Sequence, residues 1–153
     1  MRVAAIYDIH GNLPALEAVL QEIRQIGVDQ IVVGGDVIPG PMPRKTLRRL
    51  LGLEVPMHFL QGNGESAVLA ETAGTVDSPL PASPQEVMRW TAQQLSADDE
   101  QVLASWPQSI GIEIDGIGKV LFCHATPRPA TTPKSLPSVP PQNVSFPFLR
   151  NWR

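Results

Sequence analysis

A chain of 153 residues, 42% hydrophobic and 18% charged, holds enough apolar material for one soluble domain and is too apolar for wholesale disorder. No apolar run approaches the roughly 18–20 residues a membrane span needs, and Asp8 interrupts any signal-peptide-like stretch, so a cytoplasmic protein is expected. The single cysteine, Cys123, excludes an intrachain disulfide and a Cys-rich zinc site, and a net charge of −3 gives no support for a nucleic-acid or membrane-surface partner.

In chain order, residues 2–7 (RVAAIY) form a short apolar run after Arg2, which predicts a strand buried on both faces. Leu13, Leu16, Leu20, Ile23 and Ile26 recur at helical spacing, predicting a helix over 13–26 with Asn12 as N-cap and Gly27 just past its end. Residues 30–33 (QIVV) predict a second strand running into Gly34-Gly35-Asp36, followed by a helix near 43–52 and a strand near 56–60. Two helix starts follow: Ser83-Pro84-Gln85-Glu86, with proline at the first helical position, and Ser96-Ala97-Asp98-Asp99. Residues 110–115 and 118–123 predict a hairpin around Asp115-Gly116-Ile117-Gly118. The opening β-α-β-α-β order predicts an α/β fold with a parallel sheet.

Charge and proline are unevenly spread. All 15 acidic residues lie at or before Asp115 beside seven Lys/Arg, leaving residues 1–115 at −8 and residues 116–153 at +5. Seven of the 16 prolines fall between Pro127 and Pro147, a density that removes backbone donors and opposes helix. The expected organisation is a domain over 1–128 and an extended or disordered Pro-rich tail over 129–153.

The metal-capable residues collect at strand ends: Asp8 and His10 after the first strand, Asp36 after the second, Asn63 after the third and His124 after the last. Ligands of open parallel sheets bind at the carboxyl ends of strands. Carboxylate, imidazole and amide oxygen together suit manganese, iron or zinc. Each piece has a plainer reading: Asp36 as a turn cap, Gly62-Asn63-Gly64 as a generic turn, His124 as a histidine bonded to backbone. Their order along the chain, each just after an apolar strand-like run, is what favours a metal centre.

DIHGN at 8–12, GGDVIPGP at 34–41, GNGE at 62–65 and CHATPR at 123–128 resemble the motifs of the calcineurin-like metallophosphoesterase family, in particular its small bacterial phosphodiesterase-type members. The resemblance implies a sandwich of two mixed β-sheets flanked by helices, incomplete here at the C-terminus. It implies two divalent ions (manganese, iron, zinc or nickel) as cofactors, with Asp8 and His10 on the first, Asp36 bridging, and Asn63 and His124 on the second. It further implies a metal-activated hydroxide attacking the phosphorus of a small phosphoester substrate. Arg128 is a candidate phosphate contact. Gly11 is expected to let its loop approach the metal site, and Glu65 to cap the helix that follows it. His58, inside a strand-like run, reads as structural.

Two departures stand out. Many family members carry histidine where this chain has Gly64, so no general acid is expected there, and phosphodiesters or good leaving groups are favoured over ordinary monoesters. The family's later His-x-His pair is also absent, since His10, His58 and His124 are the only histidines. Weak metal binding is therefore expected, and the motif likeness stops after Arg128. These departures suggest a shortened or frameshifted enzyme with an exposed sheet edge. The competing reading is a catalytically inactive remnant that keeps a metal- or phosphate-binding pocket.

Overall fold

A computed structural model describes residues 1–75 and 82–125. Three strands, β1 (Val3–Ile6), β2 (Gln30–Val33) and β3 (Met57–Phe59), form a parallel sheet in the order β1-β2-β3. The register pairs Ile6 with Val33 and Val33 with Phe59, so all three strands end at one rim. Two helices, α1 (Leu13–Ile26) and α2 (Pro43–Leu51), connect these strands. Beyond them lie α3 (Asn63–Thr72), α4 (Ala82–Gln94), α5 (Ala97–Ala104) and an antiparallel hairpin of β4 (Ser109–Ile114) and β5 (Gly118–Cys123).

The alternation of a strand's side chains sorts β2 into two cores. Ile31 and Val33 face the helices, where Leu16, Leu20 and Ile23 of α1, Leu47 and Leu50 of α2, and Val68 of α3 bury against them. Val32 faces the other way, with Leu60, Ile112 and Ile114, so the hairpin covers the back of the parallel sheet. Burial of such side chains stabilises by about 1.5–3 kcal/mol each. The result is a helix–sheet–sheet stack whose outer hairpin face carries Glu113 and Lys119.

Helix α1 has the expected ends. The Asn12 side chain accepts the Ala15 N–H at 3.2 Å, and Gly27, with φ +68°, donates its N–H to the Ile23 carbonyl. Two expectations need correction. Strand β1 is only partly buried: Ala4 and Ile6 pack on the helix side and Val3 on the hairpin side, but Ala5 is exposed on what is, among the described residues, an edge strand. Strand β2, central and closed on both sides, has the two-sided burial instead. Helix α4 begins at Ala82, not after Ser83, because proline is tolerated through the first helical turn and does not fix the starting residue. The Pro-rich tail, with Arg128, lies outside the described residues. No helix among the described residues is long and apolar enough to cross a membrane.

Helix α5 is tied to α2 through its cap. The Ser96 hydroxyl accepts the Asp99 N–H, and Asp99 Oδ2 accepts the Ser96 N–H at 3.0 Å and hydroxyl at 2.7 Å. Arg44 and Arg48 of α2 also donate to Asp99, at 3.0 and 2.9 Å. Burial pushes the Asp99 carboxyl up, but the Ser96 bonds and the two guanidinium groups outweigh it and hold it below its ordinary value. A lowered acid stabilises the fold above the ordinary aspartate range and loses that contribution as pH falls through its folded value. Asp99→Ala is therefore expected to cost about 2–3 kcal/mol in urea unfolding at neutral pH, with the difference from wild type shrinking in acid.

Candidate metal centre

The turns after β1 and β2 are zipped together. His10 donates its N–H to the Asp36 carbonyl at 2.8 Å, Gly11 to Val37 at 2.7 Å, and Gly34 to Ile6 at 2.8 Å. Asp8, His10 and Asp36 sit in the left-handed region, at φ +52°, +48° and +53°. Non-glycine residues there cost about 1–3 kcal/mol each and cluster at functional sites. All three side chains project to one place: one ligand atom from each lies within 4.8 Å of the others. Asp36 is buried at the floor, while Asp8 and His10 are exposed at the rim.

Asp36 also faces the remaining two candidates. Its Oδ2 lies 3.6 Å from His10 Nε2 and its Oδ1 3.4 Å from His124 Nε2. His124 Nε2 is in turn 3.0 Å from Asn63 Oδ1. On its other side, His124 Nδ1 lies 2.8 Å from the Gly34 carbonyl, an acceptor that makes Nδ1 the donor and orients the ring with Nε2 toward Asp36 and Asn63. With Nδ1 as the donor to Gly34, a neutral His124 ring turns its Nε2 lone pair toward Asn63 Oδ1 and Asp36 Oδ1, so three acceptor atoms converge. A divalent cation is the occupant such a donor set fits. The five residues expected from sequence come together, with one Asp36 oxygen turned to each group.

Glu65 holds this arrangement in place. It is fully buried; Oε2 accepts the N–H of Gly62 at 2.7 Å and of Asp36 at 2.9 Å, and Oε1 accepts that of Ile38 at 3.1 Å. The first bond is the expected cap on α3; the other two fasten the β2 turn to that helix. Burial pushes the Glu65 carboxyl up, the three N–H groups pull it back, and nearby Asp36 adds to the rise. Sequence reasoning missed this wider role, although a glutamate at the third helical position after a glycine was its visible trace.

Three other residues settle into structural roles. Asn12 caps α1, and His58 Nε2 pairs with Gln30 Oε1 at 2.9 Å on the sheet, away from the centre. Gly11 permits a close approach, but to Gly40 and not to the metal site: a Cβ there would lie 2.8 Å from the Gly40 carbonyl carbon.

Gly64 is more than a missing histidine. Its N–H donates to Asp36 Oδ1 at 2.7 Å, and any Cβ would collide with the Ile38 carbonyl oxygen and come within 2.9 Å of Pro39. The 38–39 backbone occupies the space a side chain needs. Gly64→His is therefore expected not to restore a general acid but to lower stability by about 2–4 kcal/mol through overpacking, read as a lower melting temperature together with weaker Mn²⁺ binding.

Comparisons with known proteins point to one family. The family model for calcineurin-like phosphoesterases matches residues 1–151, which runs past Arg128. An uncharacterized protein of Methanocaldococcus jannaschii is 31% identical over 127 residues, covering 82% of this chain and 50% of its own length. The crystal structure of a metallophosphoesterase from Sphaerobacter thermophilus is 35% identical with a TM-score of 0.56, over 72% of this chain and 42% of that one. A hypothetical protein from Pyrococcus horikoshii OT3, 19% identical, shares the fold with a TM-score of 0.68 over 78% of this chain and 53% of its own. The chain thus spans about half the length of the curated relative it matches. On the ordered motifs, the converging ligand groups and the family match together, the chain belongs to the calcineurin-like phosphoesterase family.

Proposed function

We propose that this chain carries the metal centre of a phosphoesterase that hydrolyses phosphate esters, with diesters preferred over monoesters. The carrying observation is the position of Asp36, whose two carboxylate oxygens face His10 and His124 at 3.6 and 3.4 Å. Asp8, His10 and Asp36 would hold one divalent ion, and Asp36, Asn63 and His124 the second. When bound, such ions supply positive charge for phosphoryl oxygens and hydroxide at neutral pH.

The chain's own residues supply orientation. The Gly34 carbonyl orients the His124 ring with Nε2 toward Asp36 and Asn63, and Glu65 fixes the Asp36 backbone so that its carboxylate stays between the two groups. Gly64 leaves no side chain to protonate a leaving group, which supports a preference for diesters and for acidic leaving groups.

Hydrolysis of bis(p-nitrophenyl) phosphate and of p-nitrophenyl phosphate with added Mn²⁺ tests this reading. The expected result is metal-dependent turnover with the diester favoured. Mn²⁺ binding without turnover of either ester would instead support the inactive-remnant reading.

A further inference from the structure

Two rings close on the Gly34-Gly35 turn that follows β2. A Cβ on Gly34 would collide with Cδ1, Cε1 and Cζ of Tyr7, so the Tyr7 ring lies directly on the Gly34 Cα. Gly34 does not adopt a positive φ, so the ring and not the backbone demands glycine there. A Cβ on Gly35 would come within 2.8 Å of His124 Nδ1. Gly34 is held at both ends: its N–H donates to the Ile6 carbonyl at 2.8 Å, and its carbonyl accepts from His124 Nδ1, also at 2.8 Å. The other polar neighbours of the His124 ring among the described residues are Asn63 and Asp36, themselves proposed ligands. The Gly34 carbonyl is therefore the group that orients the ring when no ion is bound. Burial and, to a smaller extent, the neighbouring Cys123 thiol push the Tyr7 phenol up, so the side chain stays neutral where the β2 turn meets the end of β5.

We propose that Tyr7 is a positioning residue of the centre: its ring seats Gly34, whose carbonyl aims His124 Nε2 at the second ion; this rests on the two-ion reading above. Glycine has the widest backbone freedom of any residue, so a turn built on two of them needs an outside wall to hold one carbonyl direction. The Tyr7 ring is that wall on Gly34. Removing a partner that orients a ligating histidine through its other nitrogen costs about 10–100-fold in metal affinity. Tyr7 acts one contact further out, so its loss belongs at the lower end of that range. His10 is tied to the Asp36 carbonyl by its own N–H, without Gly34, so the effect falls on the ion held with His124.

Calorimetric titration of the full chain with Mn²⁺ tests this, with His124→Ala marking which of the two ions is meant. Tyr7→Leu is expected to weaken that ion about tenfold and to leave the other unchanged. Tyr7→Phe keeps both, since the ring and not the hydroxyl bears on Gly34. Gly34→Ala tests the same contact without removing the ring: its methyl takes the place of the ring and weakens the same ion. The two losses are not additive in Gly34→Ala/Tyr7→Leu, because both variants break one contact. Equal weakening of both ions in Tyr7→Leu, or a Tyr7→Phe variant as weak as Tyr7→Leu, overturns the proposal. A wild type that binds one ion only overturns the two-ion reading and the proposal with it. Two ions held equally by wild type and Tyr7→Leu overturn the proposal alone.

Discussion

Asp36→Asn is expected to reduce Mn²⁺-dependent diester hydrolysis at least about a hundredfold while leaving the fold intact. The two effects separate because Asp36 has two jobs. Its carboxylate is the one group that faces both His10 and His124, the proposed ligands of the two ions, and a neutral amide cannot present an anionic oxygen to each. Its structural bond, acceptance of the Gly64 N–H by Oδ1, is retained by an asparagine oxygen. Moreover, Asp36 raises the Glu65 carboxyl, so removing its charge relieves a buried repulsion. The melting temperature should stay level or rise. A variant within threefold of wild-type activity would show that Asp36 does not bridge the centre.

Glu65→Ala should have the opposite profile, a large loss of stability from a residue that is no proposed ligand. Truncation strands the N–H groups of Asp36, Ile38 and Gly62 in a buried site and leaves a cavity where a fully buried side chain stood. Unsatisfied buried donors cost about 1–3 kcal/mol each. Relaxation shares that cost, so a total of about 3–5 kcal/mol is expected in urea unfolding. Glu65→Gln, which keeps one acceptor oxygen, should fall between wild type and alanine. A loss below 1 kcal/mol for the alanine variant would contradict the role assigned to this side chain.

Much of the layout was legible because its signals are local. Asn12, the helical leucines and Gly27 define α1 without help from the rest of the chain, and Ser96 with Asp99 defines the start of α5. The gathering of Asp8, His10, Asp36 and Asn63 was also readable, since parallel strands deliver their last residues to a common rim, whereas His124 follows β5 of the antiparallel hairpin and was placed by its order along the chain alone.

What stayed hidden depends on contacts between distant segments. The incomplete burial of β1 goes with its place in the sheet order of the described residues, and an apolar tetrapeptide reads the same at an edge as at a centre. The wider grip of Glu65 spans from α3 to the β2 turn, and the obstruction at Gly64 comes from the Ile38 carbonyl. Sequence showed a histidine replaced by glycine; the structure adds that the neighbouring loop fills the space.

The central claim is that Asp36 joins two ligand groups into one dinuclear site. Electron paramagnetic resonance of the Mn²⁺-loaded full chain, titrated to saturation, tests it most directly. Two ions per chain with the spectrum of a spin-coupled pair, replaced by isolated Mn²⁺ signals in Asp36→Asn, is the predicted result. A single uncoupled ion at saturation, or a coupled pair that survives in Asp36→Asn, would contradict it.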